Sequence, residues 1–103
     1  MSIQIEIYNT PKNSKKRLRA IFRLHKGGPI IKSTDFGLKG GSTYLDHKDK
    51  TKRRNYIARH SVNEKKFYTD PQRPATLSRY ILWGPHADLD KNLNFYKKKF
   101  KLS

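Results

Sequence analysis

The chain has 103 residues, a length typical of one domain. Only 34% of them are hydrophobic and 12% are aromatic, so we expect a small core built around aromatic rings. Lysine and arginine total 24 against 8 acidic residues, and the resulting net charge of +16 indicates an anionic partner. The absence of cysteine excludes disulfides and cysteine-based zinc sites. No signal peptide or membrane-spanning stretch is recognisable, which predicts a non-secreted protein without a membrane span.

The N-terminal third of the chain has the alternating pattern of strands. Alternating isoleucines predict a first strand over residues 3–8, and residues 9–17 are expected to form an exposed basic loop. Residues 18–24 form a second predicted strand, with one apolar face and one face that carries arginines. A glycine-rich turn at residues 26–29 joins it in a hairpin to a third strand over residues 30–36.

The remainder of the chain has helical periodicity. Residues 46–60 are predicted to form a first helix and residues 75–83 a short apolar second helix. A third helix begins at Asp88 or Asp90, and its apolar residues form a single stripe of Leu89, Leu93, Tyr96 and Phe100. Strands followed by helices predict an α+β fold, in which a small antiparallel three-stranded sheet is followed by three short helices packed on one face. We expect one basic domain over residues 1–103.

The basic residues gather in three zones along the chain. Each phosphate that a protein neutralises releases counterions, so affinity follows the number of cations that reach the backbone of a nucleic acid. Arginine adds bidentate geometry to this charge. Phe67 and Tyr68 lie in a basic segment and are candidates to stack on unpaired bases. The predicted nucleic-acid-binding residues are Lys15, Lys16, Arg17, Arg19, Arg23, Lys48, Lys52, Arg53, Arg54, Arg59, Lys65, Lys66, Phe67 and Tyr68.

Two carboxylates at the start of the first predicted helix raise a different possibility. Asp46 and Asp49, together with a histidine, have the residue types of a metal-dependent nuclease. Each has a basic residue four positions later, Lys50 and Arg53, so ion pairs on the helix surface are the favoured interpretation. The glycines of residues 40–43 similarly favour a turn over a phosphate-binding nest. No catalytic residue, metal site or cofactor is therefore predicted.

Several aromatic residues are assigned to the core and not to a binding surface. Tyr56, Tyr80 and Tyr96 lie on the apolar faces of predicted helices. Trp83 closes the most apolar segment of the chain and is expected to be a core anchor.

A series of short motifs extends over residues 17–102. They are Asp35-Phe36-Gly37, Lys39-Gly40, Tyr44, His47-Lys48-Asp49-Lys50, Arg53, Tyr56, Arg59-His60, Asn63-Glu64, Asp70-Pro71, Leu77-Ser78-Arg79-Tyr80-Ile81-Leu82-Trp83, and Tyr96-Lys97-Lys98 with Phe100. The set resembles a family of small basic proteins, with no assigned activity, from the large double-stranded DNA viruses of algae and protists. At residues 65–68 the chain has Lys-Lys-Phe-Tyr, where that family often has an acidic residue and tryptophan. The resemblance implies a viral source and a virion component, and it carries over no catalytic residues.

The sequence therefore predicts a small, non-enzymatic viral protein that binds nucleic acid mainly through phosphate contacts. DNA is favoured over RNA as the partner, and a role in the virion or in genome packaging is expected. The alternative is a minor capsid or cement protein that docks on acidic surfaces of capsid or other virion proteins, where the same charge provides complementarity. Either protein would reside in the virion or inside the infected cell and would have no small-molecule substrate.

Overall fold

A three-stranded antiparallel sheet forms the N-terminal part of the computed structural model, which describes residues 2–60 and 69–103. Its strands, in the order β1–β2–β3, are Gln4–Asn9 (β1), Lys16–Arg23 (β2) and Ile30–Leu38 (β3). The predicted three-stranded sheet is confirmed. Because β2 begins at Lys16, the basic loop between β1 and β2 spans residues 10–15 and is shorter than predicted.

The central strand β2 has apolar side chains on one face and arginine side chains on the other. Leu18, Ala20 and Phe22 are buried, whereas the intervening Arg19 is half-buried on the opposite face. Successive side chains of a strand point to opposite faces of the sheet. One face of the sheet is therefore apolar and the other carries guanidinium groups, as the alternation predicted.

In residues 2–60 and 69–103, four α-helices and one π-helical turn follow the sheet. They are Tyr44–His47 (α1), Lys50–His60 (α2), Pro74–Leu77 (α3), the π-helical turn Ser78–Leu82 that continues α3, and Leu89–Phe100 (α4). The α+β class is confirmed, as is the start of the last helix, where the Asp88 side chain accepts a hydrogen bond from the Lys91 N–H at 3.0 Å. Within residues 2–60 and 69–103, no helix is long and apolar enough to cross a membrane.

The prediction of one continuous helix over residues 46–60 is wrong, because the chain interrupts it at Lys48. This residue has a φ of 56°, in the left-handed region, and its N–H donates to the Tyr44 carbonyl oxygen at 3.0 Å, which ends α1. The Asp49 carboxylate then accepts hydrogen bonds from the N–H groups of Thr51 (2.9 Å) and Lys52 (3.2 Å). Asp49 thus caps the start of α2, as aspartate commonly does.

The core lies between the apolar face of the sheet and the C-terminal helices. Fully buried side chains come from both layers, namely Ile5, Phe22, Phe36, Leu77, Ile81 and Tyr96. The predicted stripe of α4 packs here, with Leu89, Leu93 and Phe100 partly buried against this cluster. The core positions predicted for Tyr80 and Tyr96 are confirmed. Helix α2 has no buried residue, so it lies outside this core.

Candidate nucleic-acid interface

The three arginines of β2 that were predicted to contact phosphates are each paired with a carboxylate. Arg17 donates from both terminal nitrogens to Asp46, at 2.7 and 2.8 Å. Arg19 makes an equivalent two-bond contact with Asp35, at 2.7 and 3.1 Å. Arg23 donates to Glu6 at 2.7 Å and to the carbonyl oxygen of Gly28 at 2.9 Å. The positive charge of this sheet face is thus largely compensated within the fold.

These pairs alter the ionisation of the carboxylates. The Arg17 guanidinium, together with hydrogen bonds from Thr43, holds the pKa of Asp46 well below its ordinary value. The hydrogen bond from Arg19 lowers the pKa of Asp35, and the hydrogen bond from Arg23 lowers that of Glu6. A lowered pKa means that the ionised carboxylate is stabilised by folding.

We therefore expect acid to destabilise the fold. The stabilising contribution of these carboxylates is complete above their unfolded pKa values, close to 4, and is lost as the pH falls below them through the lower folded values. Urea unfolding at pH 7, 4 and 2 measures the effect, in about 0.5 M salt to screen the general repulsion among cations. Asp46→Asn should be less stable than the natural chain at pH 7, and the difference should shrink at pH 2. Equal urea midpoints at pH 7 and pH 2 would contradict this expectation.

The two aspartates near the first helix have roles other than those predicted. Asp46 accepts hydrogen bonds from the N–H and hydroxyl of Thr43, at 2.8 and 2.9 Å, in addition to those from Arg17. Asp49 caps α2 and its pKa is lowered, chiefly by the hydrogen bond from the Lys52 N–H. The predicted ion pairs with Lys50 and Arg53 are therefore wrong. Among the described residues, no three histidine, cysteine or acidic side chains gather as a metal site.

One face of α2 anchors the helix to the rest of the domain. Arg53 donates from Nε to the Gly84 carbonyl oxygen at 2.7 Å, and its guanidinium lies 5.6 Å from the centre of the Tyr44 ring. Desolvation by partial burial lowers the pKa of this guanidinium. Tyr56 stacks on Trp83 with ring centres 4.2 Å apart and planes at 3°. Arg53, predicted to bind phosphate, is thus directed inward and holds the helix in place.

The other cations of α2 face solvent. Lys50, Lys52, Arg54 and Arg59 are exposed, and α2 contains no acidic residue. Within the described parts of the chain, none of the four forms an ion pair. The structure thereby brings three predicted site residues, Lys52, Arg54 and Arg59, together on one helix.

The remaining predicted site residues are distributed over separate elements. Lys15 and Lys16 are exposed at the β1–β2 hairpin, and Lys48 is exposed between α1 and α2. The predictions for Lys65, Lys66, Phe67 and Tyr68 lie outside the described residues. Residues 38–41 form a turn, in which Gly40 has a φ of 86° and the Gly41 N–H donates to the Leu38 carbonyl oxygen at 3.0 Å. Glycine is therefore used here for backbone geometry.

A cleft of about 540 Å³ lies between α2 and the turn that follows the π-helical segment. Its described lining residues are Ser42, His47, Lys52, Asn55, Arg59 and Trp83, none of which is acidic. Trp83 is half-buried: it packs against the core cluster, as predicted, and it also lines this cleft. Ser42, His47 and Asn55 were not predicted as site residues. For Asn55 a signal existed, since Lys52, Asn55 and Arg59 share one helical face through their spacing of three and four residues.

His47, which lines the cleft, has one unsatisfied ring nitrogen. Its Nδ1 accepts a hydrogen bond from the Asp49 N–H at 2.9 Å. The neutral ring therefore carries its proton on Nε2, as assigned from this hydrogen bond. Nε2 is buried and makes no hydrogen bond with the described residues. The His47 ring lies 5.3 Å from the indole of Trp83, between centres.

The π-helical turn and the residues after it determine the position of Trp83. The Trp83 N–H donates to the Ser78 carbonyl oxygen, five residues earlier, at 3.1 Å. Gly84 follows where a Cβ would overlap the carbonyl oxygen of Tyr80 and lie 2.7 Å from Cγ of Asn92, so glycine is required by close packing. π-Helical turns are rare and occur frequently at functional sites.

Comparison with known proteins identifies a family for this chain but does not indicate an activity. No curated protein and no solved structure gives a significant match. One family model, described as a family of unknown function (DUF5754), matches residues 6–60. The match runs from β1 to the end of α2, and thus includes the paired arginines and the basic helix. Because it spans more than half of the sequence, the chain belongs to the DUF5754 family.

Proposed function

We propose that the protein binds nucleic acid through phosphate contacts made by the exposed cations of α2, largely without sequence specificity. The observation that carries the proposal is the division of charge in the fold. Among the described residues, five of the seven acidic side chains pair with arginines of the sheet or cap helix starts, whereas the exposed helix α2 has cations and no acidic residue.

The acidic residues support this division. Glu6, Asp35 and Asp46 accept hydrogen bonds from the arginines of β2. Asp49 and Asp88 cap α2 and α4. Four of these carboxylates are engaged away from α2, and Asp49 lies at its first turn, close to Lys52.

The chemistry of α2 suits a phosphate backbone. Lys50 and Lys52 supply point charges, and Arg54 and Arg59 supply planar groups able to bind one phosphate through two hydrogen bonds. Lys15 and Lys16 form a second, smaller set at the hairpin. The arginines of β2 are left out of the proposed contact surface because releasing them would break ion pairs that hold the fold.

The proposed setting is the one that the sequence motifs imply, a virion or genome-packaging component in a virus-infected cell, without enzymatic activity. The motifs over residues 17–102 support it through their resemblance to proteins of large double-stranded DNA viruses. Recovery of the protein with the genome when virions are fractionated would support the proposal, and recovery with shell proteins would favour docking on acidic protein surfaces.

A titration of fluorescently labelled duplex and single-stranded DNA at several salt concentrations tests the proposal. For four phosphate contacts, a plot of the logarithm of the association constant against the logarithm of the salt concentration should have a slope of about −3 to −4. The affinity should then fall on the order of 100-fold between 50 and 200 mM salt. Poly-glutamate serves as the competitor of equal charge. A slope near zero would remove the proposal. Displacement of the DNA by poly-glutamate at equal charge concentration would favour an acidic protein as the partner.

A further inference from the structure

The cleft beside α2 combines an aromatic surface with cations, and this combination fits a nucleotide better than a phosphate alone. Lys52 and Arg59 stand seven residues apart on α2, about 10 Å along the helix axis, with Asn55 between them. Trp83 and His47 line the same cleft from the other side. A base has a flat apolar face and a polar edge, and its backbone carries the negative charge that the two cations attract.

The rings of the site already show the stacking geometry that a base would use. Tyr56 lies between two rings, with Trp83 4.2 Å away on one side and His60 4.1 Å away on the other. The stacked rings of His60, Tyr56 and Trp83 hold Trp83 against α2 and restrain its indole. A ring that is fixed before binding loses little conformational freedom when a base stacks on it, and such preorganisation increases affinity.

The cleft also has polar groups that are able to form hydrogen bonds with the edge of a base. Nε2–H of His47 is a buried donor without a hydrogen-bond partner among the described residues, and native proteins leave few buried polar groups unsatisfied. The Asn55 amide is exposed in the cleft lining and offers both a donor and an acceptor. Single-stranded nucleic acids are commonly held in this way, by a cationic groove combined with aromatic stacking.

We infer that this cleft binds one unpaired nucleotide of a single-stranded nucleic acid, with the base stacked on Trp83 and the flanking phosphates held by Lys52 and Arg59. The inference rests on the proposed function and specifies its substrate as single-stranded. In a duplex the bases are already paired and stacked, and the cleft would be left empty.

Tryptophan fluorescence gives a direct test, because Trp83 is the single tryptophan of the chain. The probes are a dT oligomer, a U oligomer, an abasic DNA oligomer of the same length, and a duplex. Base-bearing single strands should quench the fluorescence and bind about 5-fold to 100-fold more tightly than the abasic strand. The tighter of the two oligomers identifies DNA or RNA as the source of the nucleotide.

Two variants at the same position complete the test, and because both lack tryptophan, their affinities are measured by the anisotropy of labelled oligomers. Trp83→Ala should lose that 5-fold to 100-fold preference for base-bearing strands, whereas Trp83→Phe should retain most of it and serves as the folded control. If circular dichroism shows that Trp83→Ala is unfolded, the comparison between abasic and base-bearing strands on the natural chain decides alone. Equal affinity for the abasic strand, or saturation without quenching, would overturn the inference. If either result occurs while affinity still falls steeply with salt concentration, the nucleotide site is wrong and the proposed function is retained. If no nucleic acid shows salt-dependent binding, both the nucleotide site and the proposed function are wrong.

Discussion

Replacement of Asn92 by alanine should destabilise the protein by about 3 kcal/mol or more, because a buried polar group that loses its partner costs about 1–3 kcal/mol. The side chain is fully buried and makes three hydrogen bonds. Its Nδ2 donates to the carbonyl oxygens of Ile81 (2.8 Å) and His86 (2.7 Å), and its Oδ1 accepts from the His86 N–H at 2.9 Å. Asn92 thus ties α4 to both ends of the turn that carries Trp83.

Urea unfolding followed by circular dichroism measures this loss. Asn94→Ala is the matched control, since Asn94 lies on the same helix with an exposed side chain, and its effect should stay within about 0.5 kcal/mol. A loss below about 1 kcal/mol for Asn92→Ala would mean that water replaces the three hydrogen bonds without penalty, contrary to the cost expected for buried groups.

Neutralising three exposed cations of α2 should lower nucleic-acid affinity on the order of 100-fold near 0.1 M salt. The variant combines Lys52→Gln, Arg54→Gln and Arg59→Gln, which removes three of the proposed phosphate contacts. The log–log salt slope should decrease in magnitude by about 2 to 3, since each contact contributes about 0.7 on a single strand and 0.9 on a duplex. All three side chains are exposed, so we expect folding to be little affected.

The control for this variant removes the same charge elsewhere. Lys32, Lys91 and Lys98 are exposed outside α2, and their replacement by glutamine lowers the net charge by the same three units. Binding should weaken only slightly in the control. If both variants lose affinity equally, the net charge of the molecule governs binding, and the assignment of the contact surface to α2 is wrong.

Most of the fold could be predicted from local patterns. The alternation in the N-terminal part predicted three strands, and the apolar stripe of α4 predicted a helix packed on the core. The interruption at Lys48 could not be predicted, because a left-handed residue that ends a helix is usually glycine or asparagine. The π-helical turn also escaped prediction, since its residues have the same apolar character as an ordinary buried helix.

The candidate site was predicted only in part, and the reason lies in long-range pairing. Which cations are compensated depends on contacts between distant residues, such as Arg17 with Asp46, 29 positions apart. Charge clustering along the chain cannot distinguish the paired Arg19 from the exposed Arg54. The position of Trp83 at a cleft likewise depends on how α2 docks against the turn, through Arg53 and Tyr56.

The π-helical turn holds one residue more than an α-helical turn, because its hydrogen bond from the Trp83 N–H reaches the Ser78 carbonyl oxygen five residues earlier. Four residues of an α-helix, at about 100° each, make slightly more than one rotation, and the wider π-helical winding makes a similar rotation with five. Deleting one residue between Ser78 and Leu82 should therefore restore α-helical winding and leave Trp83 facing Tyr56 in nearly the same direction. The contact that holds the basic helix at this turn thus depends on the rotation of the preceding segment and not on its number of residues.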